Sequence, residues 1–128
     1  MSTQFSLSRA LAGFGVTANN LRRCWSGRTD DGKTVEMVLW IEKFYVDRAG
    51  VRSYRWRGRW SGGYRQGHAE AMQNLIWARD HCDGYFNVVL VAGHDEPSHK
   101  RHFFPADFRM KITTLDPEAG TFVARAAT

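Results

Sequence analysis

Little cysteine and little proline mark this 128-residue chain. Its two cysteines, Cys24 and Cys82, are too few for a disulfide framework, so a reduced, cytoplasmic protein is expected. No proline precedes Pro97, and nothing marks a linker in the first three quarters of the chain. No apolar run approaches the ~18 residues of a membrane span. The longest buried-looking stretch, residues 88–92, has the length of a strand. Arg9 lies inside the N-terminal apolar stretch rather than ahead of it, which argues against a secretory signal. No G-x-S-x-G, Walker or G-x-G-x-x-G motif occurs, and no two carboxylates are spaced to meet in one cleft. A non-catalytic protein without a cofactor is therefore expected.

A third absence is the most informative. Between Asp47 and Glu70 there is no acidic residue. Arg48, Arg52, Arg55, Arg57, Arg59 and Arg65 all lie in that gap. The net charge is +5, so this one segment supplies the whole positive excess. Tyr54, Trp56, Trp60 and Tyr64 interleave with the arginines. Arginine grips phosphate with a planar fork and stacks on flat groups. Aromatic rings among arginines suit base stacking and cation–π contacts. A charge run by itself is usually a solvated face; the coincidence of arginine, missing acid and aromatics tips the reading towards nucleic acid.

Hydrophobic residues make up 43% of the chain, enough for a core. No internal repeat is visible, and one domain is expected over residues 1–128. Residues 4–13 read as a short helix, with Ser6 as a cap and Gly13 or Gly15 as terminators. Strands are expected at 22–29 and 34–43 around Asp30-Asp31-Gly32-Lys33, a hairpin signal. Val35, Met37, Leu39 and Ile41 share one face of the second strand; Glu36, Val38, Trp40 and Glu42 share a mostly polar one. Asp47-Arg48-Ala49-Gly50 reads as a second turn.

A third strand spans about 51–59. Strand alternation sends Tyr54, Trp56 and Trp60 one way, with Arg52 among them, and Arg55, Arg57 and Arg59 the other. The arginine row steps by roughly 6.6 Å, close to the phosphate repeat of one nucleic-acid strand. A helix follows over about 68–82, with Ala71, Leu75, Ala78 and Cys82 on its apolar stripe. Trp77 falls on the polar side and is expected to cover a sheet edge or a loop. Asp83-Gly84 ends the helix. Residues 85–91 read as a central strand buried on both faces, 93–107 as a polar loop, and 108–115 and 121–126 as the last strands. The fold class is α+β: a mostly antiparallel, curved sheet of five to six strands, curled towards a small barrel, with one main helix.

His94, His99 and His102 share the polar loop. Lys100 and Arg101 lie between two of them and repel a cation, so no metal is expected and a basic loop touching phosphate is favoured. Cys82 sits on the apolar stripe as a small filler rather than a nucleophile.

Gly15-Val16-Thr17, Cys24-Trp25-Ser26-Gly27, Asp31-Gly32-Lys33, Val38-Leu39-Trp40, Asn74-Leu75-Ile76-Trp77-Ala78 and Phe104-Pro105 together resemble a small uncharacterised bacterial domain. That domain is associated with HNH-type restriction endonucleases. The resemblance covers residues 7–126 and rests on structural, aromatic positions; the His-Asn-His metal motif is missing. It implies the recognition part without the cutting part, hence DNA binding, including binding of modified bases. Trp25, Trp40, Trp56 and Trp60 are then candidates for a base pocket.

The expected nucleic-acid contacts are Arg52, Arg55, Arg57, Arg59, Arg65, Lys100 and Arg101. The expected stacking or pocket residues are Tyr54, Trp56, Trp60 and Tyr64. The competing reading is an interaction module for an acidic protein or a second copy of the chain, because Trp and Arg also dominate protein hot spots.

Overall fold

Both hairpin turns form where aspartate and glycine place them. In this computed structural model, which describes residues 25–58, 65–92 and 102–127, strands β1 (Ser26–Arg28) and β2 (Val35–Trp40) flank the first turn. Asp31 Oδ1 accepts from the Lys33 N–H at 2.9 Å and from the Thr29 hydroxyl at 2.7 Å. The Lys33 amide, then the Thr29 hydroxyl, hold the Asp31 carboxyl below its ordinary range. Gly32 has φ +70°, a conformation that L side chains rarely adopt. In the second hairpin, β3 (Tyr45–Val46) turns into β4 (Arg52–Trp56). Asp47 Oδ1 there accepts the N–H groups of Ala49 and Val51 at 2.9 and 3.0 Å.

Helix α1 (Arg65–His81) buries Ala71, Met72, Leu75 and Ala78. It ends as expected: Asp83 and Gly84 both take positive φ, and the Gly84 N–H returns to the Ala78 carbonyl at 2.8 Å. The remaining strands are β5 (Tyr85–Ala92), β6 (His102–Asp116) and β7 (Thr121–Ala127). The sheet order is β1-β2-β5-β6-β7-β4-β3. Among the described residues only β2 and β5 pair in parallel; the other pairs are antiparallel.

The α+β class stands. The core lies between α1 and one sheet face, where Val35, Met37, Leu39, Tyr54, Trp56, Phe86, Val88, Met110, Phe122 and Ala124 converge. Val38, Val89 and Val91 on the opposite face are buried as well, so β5 has the central position its composition predicts.

Several expectations change. The sheet has seven strands rather than five or six, because the two-residue β3 forms between expected strands. Strand β2 stops at Trp40, and a 3-10 turn (Ile41–Lys43) carries the chain to β3. Residues 102–107, read as loop, belong to β6. Pro105 is accommodated at an irregularity: β6 advances from Pro105 to Arg109 while β5 steps only from Val89 to Asn87. Glu36, placed on a polar face, is fully buried.

The sheet is open, with β1 and β3 as its edges, rather than closed as a barrel. It does curl: the Trp40 N–H at the end of β2 donates to the Tyr54 hydroxyl of β4 at 3.2 Å, although the two strands are not neighbours. The expected helix at residues 4–13 lies outside the described residues. Among the described residues no helix is long and apolar enough to cross a membrane.

Candidate nucleic-acid interface

Alternation along β4 sorts its side chains as the sequence predicts. Arg55 is exposed on one side, and Tyr54 and Trp56 are turned to the other. That other side is the core. Tyr54 is 3% exposed and Trp56 8%. Tyr54 packs on Phe44 (centroids 4.8 Å apart), and Trp56 on Phe122 (4.7 Å) and His68 (5.1 Å). Rings so enclosed offer no free face to a base, so both are corrected from stacking residues to core. Burial also pushes the Tyr54 hydroxyl up to about 12, which leaves it a neutral hydrogen-bonding group.

Arg52 stands on the Tyr54 and Trp56 side, as alternation predicts, and the expected contacts divide among separate surfaces. Arg52 is exposed on the core side of β4, its guanidinium 4.6 Å from the centre of the Phe108 ring. Arg65 is exposed at the start of α1, beside a groove with Gln66, His68, Met72 and Pro117. Arg55 and Arg57 do come together. Arg59, Trp60, Tyr64, Lys100 and Arg101 lie outside the described residues, as do His94 and His99; His102 opens β6.

Arg55 and Arg57 line a half-open cleft of about 790 Å³ with Trp40, Lys43 and Tyr45. The buried Tyr54 and Trp56 also border it. Its construction follows from the chain. Strand β2 delivers Trp40 to the sheet's end; the 3-10 turn places Lys43; β3 sets Tyr45 beside β4. The Trp40 ring rests 5.6 Å from that of the buried Trp25. The Arg55 guanidinium lies 5.2 Å from the centre of the Tyr45 ring, within cation–π range.

Among the described residues lining this cleft, every charged one is a cation: Lys43, Arg55 and Arg57. Two aromatic rings and three cations around one open cleft can take a flat group against the rings and anions on the rim. Lys43 and Tyr45 were not legible as site residues. Their signal is weak: a Trp that ends an alternating strand, followed by a cation and a tyrosine just ahead of an Asp-Gly turn.

Other reactive-looking groups have structural roles. Trp77 covers the first hairpin, as expected. Its indole N–H donates to the Gly32 carbonyl at 2.8 Å, and a Cβ on Gly32 would stand 2.8 Å from its ring. The Cys82 thiol donates to the Lys33 carbonyl at 3.3 Å, and burial raises its pKa, which disfavours the thiolate. Glu36 accepts from Asn87 Nδ2 at 3.3 Å through Oε1, while its buried Oε2 has no hydrogen-bond partner among the described residues. Desolvation raises the Glu36 carboxyl above its ordinary range.

Comparison with protein-family models, curated proteins and solved structures finds no match to this chain.

Proposed function

We propose that the protein is a small, non-catalytic nucleic-acid-binding module, with DNA the favoured ligand. The observation that carries this reading is the cleft between β2 and β4. It joins Trp40 and Tyr45 to Lys43, Arg55 and Arg57 without a lining carboxylate among the described residues. Phosphates would meet the three cations, and a base would enter against the rings. The site differs from the one expected within the Arg/aromatic segment 52–65 in using Trp40 and Tyr45, rather than Tyr54 and Trp56, as the aromatic partners.

Fluorescence anisotropy with labelled duplex, single-stranded and base-modified DNA tests it at two salt concentrations. The expected result is salt-sensitive binding, with a slope of about 0.7 to 0.9 log units per log of salt for each phosphate neutralised. Absence of binding at low salt would overturn the reading.

A second reading has one observation in its favour. Val46, on edge strand β3, is 70% exposed, and Ile41 beside the cleft is 46% exposed. An exposed edge with apolar side chains can pair with another chain. Under that reading the contact is protein and survives excess DNA, and sedimentation shows a dimer or a complex.

A further inference from the structure

Cations and rings do not end at β4. On the sheet face opposite α1, strand register aligns Tyr45, Ser53, Arg125, Lys111 and Tyr85 in a single row across β3, β4, β7, β6 and β5. Arg55 stands one alternation step from Ser53 on the same side, and Arg109 one step from Lys111. Arg55, Arg109 and Lys111 are exposed, and the Arg125 side chain is 41% accessible. Lys111 and Arg125 are direct cross-strand partners, a like-charge pairing that costs stability in a sheet. Among the described residues, Asp47 forms the ion pair with Arg125, its Oδ2 2.8 Å from Nε. Arg109 and Lys111 both crowd the Tyr85 ring, 4.1 and 5.0 Å from its centre. Cations and rings thus recur beyond the cleft in the combination found within it.

We infer that this face extends the cleft into a track for one unpaired polynucleotide strand, so that the ligand is single-stranded rather than duplex. The inference rests on the nucleic-acid reading of the cleft. From β3 to β5 the row spans four inter-strand steps, about 19 Å. That accommodates roughly four nucleotides, the low end of single-strand site sizes. Two features select against a duplex. Trp40 and Tyr45 line a cleft that takes a flat group, whereas duplex bases are stacked inside. The major groove admits a helix or a two-stranded ribbon, but α1 packs on the other face of this sheet.

The test compares thymidine and uridine strands of two and eight nucleotides with a duplex of matched length. The proteins are wild type, Arg109→Gln/Lys111→Gln, and Lys111→Gln alone in case the double variant melts early. Wild type is expected to hold the eight-nucleotide strands about tenfold more tightly than the duplex. The double variant should lose about tenfold on them, and its salt slope should fall by about 1.4. Its affinity for the dinucleotide, which fills only the cleft, should not change. Equal affinity for thymidine and uridine strands, which differ in the 5-methyl and the 2′-hydroxyl, supports a track that reads phosphate and ring faces; a tenfold preference for one overturns that reading. Unchanged affinity and slope in both variants overturns the track but leaves the cleft standing. A tenfold preference for duplex overturns the single-strand assignment while nucleic-acid binding stands. No binding of any polynucleotide by wild type removes both readings.

Discussion

The two ends of the sheet carry similar residues put to different use. At the β1–β2 end, Trp77 lies over Gly32, and the Arg28 guanidinium sits 4.2 Å from the centre of the Trp77 ring. The indole N–H is bonded to the hairpin, and Asn74 reaches from α1 to the Ser26 hydroxyl at 2.8 Å. Cation and ring there fasten helix to hairpin. At the β3–β4 end the Arg55–Tyr45 pair has the same chemistry, yet it lines an open cleft with Trp40, Lys43 and Arg57. An arginine beside an aromatic ring is therefore uninformative by itself. What covers the other side of the pair decides whether it seals a fold or faces a ligand.

The largest effect should come from opening the sealed end. Trp77→Ala removes a half-buried ring and leaves the Gly32 carbonyl without its indole donor; it should cost about 2–3 kcal/mol in urea denaturation. A loss below about 0.5 kcal/mol would mean that this end is not sealed by the ring. Gly32→Ala should cost about 1–2 kcal/mol, from the left-handed backbone and the indole in its way. Combined with Trp77→Ala, the indole contribution disappears, so the pair should be less than additive. Strict additivity would separate the turn from the ring.

Glu36 sharpens the contrast on the outer face. It shares a register row with Asn87 and Arg109, yet it is buried where Arg109 is exposed. Its folded pKa is raised above the ordinary 4.5, so the folded state holds the proton more tightly than the unfolded one. Stability should therefore fall as pH rises from the ordinary value through the raised one, and stay lower above it. Glu36→Gln removes that loss. It should be more stable than wild type at neutral pH, with the gap closing below pH 4.5 in thermal melts across pH. A gap independent of pH would assign the gain to packing. The smallest stability effect should come from the open end: Arg55→Ala and Arg57→Ala remove exposed side chains and should change stability by no more than about 0.5 kcal/mol.

Local chemistry made much of the fold legible. Asp31-Gly32 and Asp47-Gly50 mark their turns, Asp83-Gly84 ends the helix, and period-2 alternation sorts β4 correctly. The misses are long-range. Strand β3 has two residues and no pattern of its own; it exists because β4 is there to pair with it. The early start of β6 depends on β5 absorbing Pro105 beside an irregular register. Alternation grouped Tyr54 with Trp56 but could not say that their side faces α1, since aromatic rings suit a core and a ligand equally. The cleft was hidden for the same reason. Trp40 and Lys43 meet Arg55 and Arg57 only because β4 sits outside β7 and the sheet curls far enough for Tyr54 to reach the Trp40 backbone.

The most direct measurement sets the two ends against each other. Arg28→Ala and Arg55→Ala/Arg57→Ala would be titrated beside wild type against a labelled eight-nucleotide strand at about 50 and 200 mM salt. The account expects the cleft variant to lose about tenfold in affinity and about 1.4 in salt slope, with Arg28→Ala within twofold of wild type. Equal losses in both variants, or a cleft variant that binds like wild type, would contradict it.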